Sequence, residues 1–479
     1  MPAPACAEAA DARGPAQPPA RPGPRSRGTV PIAAAGTLLV LLGYTVPLST
    51  VEPTAVDLGA GAAFRTWALT ATPLGLAALL LSMGSAADSF GRKRVFGAGA
   101  ALMLLATALS AAAPTAGFFL AGRVLQGVAG AALLAPGLGL IGHVHPPGPG
   151  RVRATGVWGA AVGLGIAVGP VYAALVERAA GWRAVHWGLA AFSAALLLAA
   201  VLGLEESRGD RPRGLDPLGV LTLGAGTACL IAGLSEGRDG WARGGVLVLL
   251  ALGSVLLAAF VLVERRSPAP MLDLALLRSR GFVVACCGAL FAGLAVVGLM
   301  SCLPMVLQRA LGLSPLGAAG VLAVWSGLSF ATALQARRLA ARMSAYGQVA
   351  AALLACAVGE AALYGMHAGD SWARAVPGLA LAGAGTGVLN AALARLSVSA
   401  VPEGSAAMGS GANNTARYAG SSLGAAVTLT LVGRASAGEG GPESVAEGGN
   451  AAVLVSAALC VVGALIVWWG RGAEREPGR

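Results

Sequence analysis

Long apolar stretches alternate with short polar loops along nearly the whole chain. A helix needs about 20 mostly apolar residues to cross a lipid bilayer, and fourteen stretches have that character. In chain order, spans 1 to 14 cover roughly residues 30–51, 65–86, 95–113, 117–141, 155–176, 184–204, 217–235, 243–263, 281–303, 313–335, 346–366, 375–394, 405–433 and 449–470. Only helices and closed barrels satisfy their backbone in lipid, and no stretch alternates as a barrel strand does. The pattern predicts an all-α polytopic membrane protein.

Composition agrees with this prediction and excludes several other classes. Of 479 residues, 56% are hydrophobic and 11% are charged, whereas soluble domains carry about 25% charge. The 71 glycines suit close helix contacts in lipid, and seven cysteines are too sparse for a secreted disulfide scaffold. Because Arg outnumbers Lys 32 to 1, which indicates codon bias, the net charge of +11 does not predict a nucleic-acid partner.

Positive charge is distributed unevenly between the two sides of the predicted bundle. The N-terminal tail, the even-numbered loops and the C-terminal tail hold 23 Lys and Arg residues, the odd-numbered loops hold 8, and Arg123 and Arg417 lie within spans. Because basic loops stay in the cytoplasm, both termini are predicted to be cytoplasmic.

Residues 1–28 are Pro-rich and basic and lack the apolar core of a signal peptide, so we expect a disordered tail there.

The loop after span 2 combines small, acidic and basic residues in one short stretch. Gly84 leaves room for another helix to come close, and Gly91 permits a tight turn. Asp88 lies at the membrane edge, where a carboxylate should point at a helix N-terminus or pair with an arginine, and Arg92 follows Gly91. An ordinary basic loop would account for the three basic residues after Gly91. It would not account for the fixed spacing of Gly84, Asp88, Gly91 and Arg92.

Spans 4 and 5 carry further unusual residues. Arg123 lies inside an apolar helix, where an unpaired Arg costs at least a few kcal/mol, so it should face a cavity or an acid. The alternative is that Arg123 lies near the helix end and reaches water. In span 5, Gly165 and Gly169 precede Pro170, which removes a backbone hydrogen bond and kinks the helix.

These motifs resemble those of the major facilitator superfamily. The loop from Gly84 is similar to its signature G-x-x-x-D-x-x-G-R-[KR]-[KR], the run from Arg123 resembles R-x-x-Q-G-x-x-x-A, and the run ending at Pro170 resembles the antiporter motif of exporters. That motif ends G-P-x-x-G-G, and Ala173 and Ala174 replace its last two glycines. Further stretches resemble the fourteen-span drug:proton antiporter branch, so the resemblance runs from about residue 36 to 470.

The resemblance implies a fold and residue roles. It implies the major facilitator fold, with two six-helix bundles plus two inserted helices. The expected organisation is a disordered basic cytoplasmic tail at 1–28, a six-helix bundle at 29–204, two inserted helices at 205–268, a second six-helix bundle at 269–470 and a cytoplasmic tail at 471–479. In the family the loop with Asp88 and Arg92 is a cytoplasmic gate that locks the outward-facing state, and Arg123 is linked to proton coupling.

One departure from the branch concerns the coupling carboxylate. Family members usually have an acid in span 1, and Gly43 takes its place here. Glu360 is the only carboxylate deep in a predicted span, and burial favours the neutral form that a proton carrier must adopt. Glu360 could instead be a solvated residue near the outer rim. Glu52 is the second coupling candidate, although a solvated rim residue is the simpler interpretation of its position.

The leading hypothesis is a secondary active transporter of the plasma membrane. It would export a small amphiphilic organic compound, drug or antibiotic-like, by proton antiport with alternating access. The alternative is a proton-independent facilitator or uptake porter, which the missing span-1 acid favours. A membrane-embedded enzyme would need clustered acids, histidines or a nucleophile, and no such cluster occurs in the sequence. We expect a monomer in the lipid bilayer without a cofactor or metal, and no nucleotide-binding P-loop sequence is present.

Overall fold

The computed structural model describes residues 28–209, 216–237, 240–267, 270–272, 274–436 and 441–470. Within these ranges the chain is helical and contains no strand. Both predicted tails, apart from Gly28, lie outside the described residues. The all-α prediction is therefore confirmed for the described part of the chain.

Each of the fourteen predicted spans is helical, and the spans keep their numbers below. The helices are Thr29–Thr45 with Pro47–Asp57 (span 1), Ala62–Phe90 (2), Arg92–Ala111 (3), Ala116–Val144 (4), Pro149–Gly203 (5 and 6), Pro217–Glu236 (7), Gly244–Arg266 (8), Arg280–Phe291, Ala292–Val297 and Gly298–Arg309 (9), Pro315–Ala340 (10), Ala345–Ala361 (11), Ala375–Ser399 (12), Ala406–Ser436 (13) and Pro442–Gly470 (14). Short 3-10 turns at Leu274–Arg278 and Trp372–Arg374 precede spans 9 and 12.

Among the described residues, ten helical segments are long and apolar enough to cross a bilayer, with the three consecutive helices of span 9 counted as one segment, Arg280–Arg309. The two helices of span 1, bent by 49°, make an eleventh candidate together. Three spans complete the fourteen. The helix Pro149–Gly203 holds two spans, because Gly181, with φ of 81°, breaks its helical backbone. Span 11 is apolar but short, and the first half of span 13 carries buried polar residues, among them Ser410, Asn413 and Asn414.

The spans form two halves, each around its own apolar core. Spans 1 to 6 supply most of one core, and spans 9 to 14 supply the other. The halves meet where span 13 packs on spans 2 and 4, and where span 5 packs on spans 10 and 12. Spans 7 and 8 pack on each other, and span 7 also lies against spans 2 and 13. Span 8 is mostly exposed, which places this pair at the periphery. The exact division into domains stays a prediction.

Antiparallel spans give the bundle two ends. We call the end with the loop after span 2 the Arg92 end, and the end with the loop after span 1 the Glu52 end. The loop before span 13, which includes Gly404, also lies at the Arg92 end, in contact with Arg92. At the Glu52 end, Asp57 pairs with Arg183 and accepts a hydrogen bond of 3.2 Å from Trp182 Nε1.

Candidate transport site

The two charged residues of the loop after span 2 form a buried ion pair. Arg92 Nη2 lies 2.7 Å from Asp88 Oδ1, and Arg92 Nε lies 2.9 Å from the same oxygen. Arg92 is 2% exposed and Asp88 is 8% exposed. A pair this deeply buried is held in place by its surroundings, because separating the charges inside a protein is costly.

This ion pair also joins the two halves of the protein. The Asp88 carboxylate accepts hydrogen bonds from the backbone N–H groups of Met408 at 2.8 Å and Ala407 at 3.3 Å. Both groups belong to the first turn of span 13, where the helix dipole favours a negative charge. Arg92 Nη2 donates to the carbonyl oxygen of Gly404 at 2.9 Å. The Asp88 carboxylate thus bonds Arg92 of its own loop and the first turn of span 13 in the opposite half. These contacts hold the two halves together and close the bundle at the Arg92 end.

The two glycines of the motif permit this contact. A Cβ atom at Gly84 would lie 2.4 Å from the Ala407 carbonyl oxygen, so only glycine allows spans 2 and 13 to approach this closely. Gly91 has φ of 117°, a conformation that side-chain-bearing residues rarely adopt, and it joins spans 2 and 3. Both glycines are therefore required by the backbone geometry of the closed end.

Residues after span 6 hold the same loop, which sequence reasoning did not foresee. Ser207 accepts a 2.8 Å backbone hydrogen bond from Arg92 N–H. The Glu206 carboxylate accepts one of 3.1 Å from Lys93 N–H and lies 3.6 Å from Arg94 Nε. No local motif announces Glu206, because it acts on a loop more than a hundred residues away.

Arg123 is wholly buried and does not reach water, so the alternative of a helix-end arginine is wrong. Its Nη1 donates to the Gly43 carbonyl oxygen at 2.8 Å and to Gln126 Oε1 at 2.6 Å. Gln126 in turn donates to Ser110 Oγ at 2.9 Å. Arg123 Nη2 has no hydrogen-bond partner, and among the described residues no carboxylate forms a salt bridge with Arg123. The structure therefore joins Arg123 to the position from which the acid is missing.

His186 is a buried polar residue of span 6 that sequence reasoning missed. It is 0% exposed, and neither ring nitrogen has a hydrogen-bond partner. Its ring packs edge-on against Phe119, with centroids 5.2 Å apart, and also contacts Trp182. A lone histidine in an apolar span is itself the signal that could have found it, because polar side chains in lipid are costly.

Glu360 lies one residue before the end of the span-11 helix and is 0% exposed, so the interpretation as a solvated rim residue is wrong. Ser456 Oγ lies 2.7 Å from Glu360 Oε2 and 3.0 Å from the Ala295 carbonyl oxygen. The serine hydroxyl has one proton for these two acceptors. A protonated Glu360 satisfies both contacts, because the carboxyl group then donates to Ser456 and Ser456 donates to Ala295. The other carboxyl oxygen has no partner, which also favours the neutral form.

Glu52 has a different environment from Glu360. It is exposed at the Glu52 end and forms a two-fold contact with Arg65, at 2.7 Å from Nε and 2.8 Å from Nη2. Exposed pairs of this kind contribute little to stability, because water and salt screen the two charges. The structure thus separates the two acidic candidates into a buried group without a cation and a solvated ion pair.

Two adjoining cavities lie between the halves. The central cavity is lined by spans 1, 4, 5, 9, 10, 12 and 13, and its wall includes Tyr44, Trp158, Trp325, Asn390, Arg417 and Tyr418. The second cavity shares Ile166 and Trp325 with the first and extends to Ser49 and Gln308 at the ends of spans 1 and 9. Together they run from the middle of the bundle toward the Glu52 end.

The sequence motifs and the cavities are largely separate. Of the site residues predicted from sequence, Pro170 lines the second cavity, while the residues of the loop after span 2, Arg123, Glu360 and Glu52 line neither. Gly165 and Gly169 pack span 5 against span 1, since a Cβ at Gly165 would lie 2.7 Å from Leu41 Cβ. The motifs therefore shape the helix contacts, and other residues form the binding surface.

Comparisons with known proteins agree with this architecture. A family model described as Major Facilitator Superfamily matches residues 33–425. The puromycin resistance protein of Streptomyces alboniger is 33% identical over 420 residues, which cover 86% of this chain and 82% of that protein. The multidrug resistance protein Stp of Mycobacterium tuberculosis is 28% identical over 75% of this chain and 67% of its own length.

A solved structure shows the same fold at low identity. The proton:xylose symporter XylE superposes with a TM-score of 0.67 at 14% identity, covering 93% of this chain and 95% of that one. The fold expected from the sequence motifs is thereby confirmed. Together with the helical spans, the family match also confirms a multi-pass membrane transporter, and a transporter is not an enzyme.

Proposed function

The chain belongs to the Major Facilitator Superfamily, and we propose that it exports a small amphiphilic organic compound across the plasma membrane against proton entry. One observation carries the proposal. A cavity between the two halves extends toward the Glu52 end, while the ion pair of Asp88 and Arg92 closes the Arg92 end. This is the geometry of one state of an alternating-access cycle. Resistance proteins among the relatives support export of a drug or antibiotic-like compound.

The orientation of the bundle gives this state a direction. The excess of Lys and Arg at the Arg92 end supports a cytoplasmic location for that end and for both termini. The closed end then faces the cytoplasm, and the cavity is accessible from outside. In this proposal the chain works as a monomer in the bilayer. It needs no cofactor, because the proton gradient supplies the energy for transport.

Asp88 stabilises the closed state through contacts between the halves. When the Arg92 end opens, its carboxylate loses the N–H groups of Ala407 and Met408, and Arg92 loses the Gly404 carbonyl oxygen. A carboxylate and a guanidinium left in a low-dielectric setting are costly, so the transport cycle must offset this cost through substrate binding or proton movement. The contact thus acts as a lock between two states of similar free energy.

Proton coupling is proposed to involve Glu360. Its contact with Ser456 favours the protonated form in the state seen here. Spans 11 and 14, which carry these two residues, pack on each other, and span 14 also packs on span 9, which lines both cavities. A rearrangement of span 9 that opened this contact to water would let Glu360 release its proton. Among the described residues no carboxylate pairs with Arg123 in this state, and Arg123 serves to organise the core of the first half.

A proton-independent facilitator is the second candidate, and one observation favours it. Arg123, the arginine linked to coupling in related proteins, is bonded to the backbone of Gly43 instead of a side-chain acid. If coupling requires that acid, this chain moves its substrate only down a concentration gradient.

An inside-out vesicle assay separates the two candidates. A susceptibility panel in a host deleted for its own efflux pumps first identifies a compound against which the protein protects. Uptake of that compound into inside-out vesicles is then measured with an acidic lumen and again after nigericin has removed the pH gradient. Antiport predicts accumulation above the outside concentration that nigericin abolishes. Uptake that stops at equal concentrations under both conditions would establish the facilitator, and protection against no compound would contradict export.

A further inference from the structure

We propose that the central cavity selects substrates with an anionic or strongly acidic group, which Arg417 binds. This inference rests on the proposed transport function and names the substrate class of the same cavity. It differs from the sequence-based expectation of an amphiphilic compound because it assigns the sign of the charge.

The charge of the cavity wall is positive. Fifteen described residues line the central cavity, and Arg417 is the one charged residue among them. None of the fifteen is Asp, Glu or His. None of the fourteen described residues that line the adjoining cavity is charged. A guanidinium stays protonated in proteins, and in surroundings of low dielectric its field is weakly screened. The cavity therefore attracts anions and repels cations.

Arg417 is poorly paired for a buried arginine. It is 9% exposed, Nη1 donates to Asn390 Oδ1 at 3.1 Å, and Nε has no hydrogen-bond partner. By contrast, Arg92, which lines neither cavity, is bonded to a carboxylate and a carbonyl oxygen. An arginine with a purely structural role would be paired in this way, since an unpaired buried charge is strongly destabilising. A bound anion would supply the partner that Arg417 lacks.

Two other residues that line the central cavity also have polar atoms without partners. Trp158 Nε1 and Ser329 Oγ are buried without a hydrogen bond, and both residues line the central cavity with Arg417. An indole N–H can only donate, and a serine hydroxyl can donate. Buried polar groups are normally satisfied, so unpartnered donors on residues of one cavity need an acceptor. The oxygen atoms of a carboxylate, sulfonate or acidic phenol have the required chemistry.

The remaining wall suits a flat apolar body. Tyr44 and Tyr418 meet edge-to-face with centroids 6.5 Å apart, and Trp158 and Trp325 also line the cavity. Aromatic side chains bury large apolar areas and stack on planar rings. The substrate class is therefore an aromatic or polycyclic compound with an acidic group at one end. The sequence alone did not indicate this, because these residues come from four distant spans.

A pair of dyes with one scaffold and opposite charge tests the inference. Fluorescein is anionic and rhodamine 123 is cationic at neutral pH, and both contain the flat xanthene ring system. The full chain is reconstituted in nanodiscs of phosphatidylcholine, which has no net charge, and dye binding is measured by fluorescence anisotropy against empty nanodiscs. This measurement needs neither transport nor a proton gradient, so failure of the proposed function does not affect it.

The wild type is expected to bind fluorescein at least about tenfold more tightly than rhodamine 123, because a charged hydrogen bond is formed with one dye only. Arg417→Gln should lose roughly tenfold in fluorescein affinity, and Arg417→Lys, which keeps the charge, should lose less. Arg338→Gln removes an exposed positive charge outside the cavities and should bind fluorescein like the wild type.

Trp158→Phe provides a second test that keeps the aromatic ring and removes the unpartnered N–H donor. It should weaken fluorescein binding by roughly threefold to tenfold, even if Arg417→Gln is unstable. Equal binding of the two dyes, a preference for rhodamine 123, or no binding of fluorescein would overturn the inference. Unchanged fluorescein affinity in a folded Arg417→Gln variant would overturn it as well, and if that variant does not fold, unchanged affinity in Trp158→Phe would do so.

Discussion

Arg123 Nη1 donates a 2.8 Å hydrogen bond to the backbone carbonyl oxygen of Gly43. The two residues are 80 positions apart, and the contact joins spans 1 and 4 in the interior of the first half. An added Cβ at Gly43 would make only ordinary van der Waals contacts, with Leu189 Cδ1 at 3.9 Å and Gln126 Oε1 at 4.0 Å as its nearest neighbours. The position can therefore accept a small side chain next to a buried guanidinium.

Gly43→Asp is expected to fold and to strengthen proton coupling. The new carboxylate would lie beside Arg123, and a carboxylate that forms and breaks such a pair can bind and release a proton. The ratio of vesicle uptake with an acidic lumen to uptake after nigericin should rise several-fold. Gly43→Asn is the matched control, since it has the same shape without the charge. Identical ratios for the Asp and Asn variants would contradict the prediction.

Asp88→Asn is expected to reduce transport at least tenfold while leaving expression intact. The substitution removes the ion pair with Arg92 and weakens the contact with span 13, and breaking a buried pair costs about 3–5 kcal/mol. Arg92→Ala should have a similar effect. Lys93→Ala is the control, because the Lys93 side chain is partly exposed and bonds only the Val201 carbonyl oxygen. The same compound and vesicle assay serve all three variants, and near-normal transport by Asp88→Asn would exclude a gating role.

Glu360→Gln is expected to abolish gradient-driven efflux and to retain substrate binding. The amide mimics the protonated carboxyl group that the contact with Ser456 favours, but it cannot release a proton. Counterflow, the exchange of labelled for unlabelled substrate, needs no net proton movement and should survive better than efflux. Glu52→Gln serves as the comparison, because Glu52 is exposed and paired with Arg65. If both variants keep proton-driven efflux, the coupling group lies elsewhere.

Arg94→Cys is expected to react with a membrane-impermeant maleimide only from the cytoplasmic side. Arg94 is exposed at the Arg92 end, and Gly61 is exposed at the Glu52 end. Gly61→Cys should therefore react from outside in intact cells, in a background without the native cysteines. The comparison of intact cells with inside-out vesicles gives the orientation. Labelling of Arg94→Cys in intact cells would reverse the proposed topology.

The spans and the loop after span 2 could be predicted from sequence because their causes are local. A bilayer requires a continuous apolar stretch of fixed length, and each span is such a stretch. The order of Gly84, Asp88, Gly91 and Arg92 is likewise contained in nine consecutive residues. The sequence alone did not show that Asp88 binds the first turn of span 13, since that contact joins residues about 320 positions apart.

Tertiary structure alone decided which polar residues meet inside the bundle. Glu360 and Ser456 are 96 positions apart, and Arg417 shares its cavity with Trp158, which lies in the other half. Spans rich in Gly and Ala carry no local pattern that identifies a neighbour, because their small residues permit many close packings. Charge and apolar length in the sequence therefore determined the topology, while the packing of distant helices decided that a lone arginine faces the cavity and a lone carboxyl group is buried away from it.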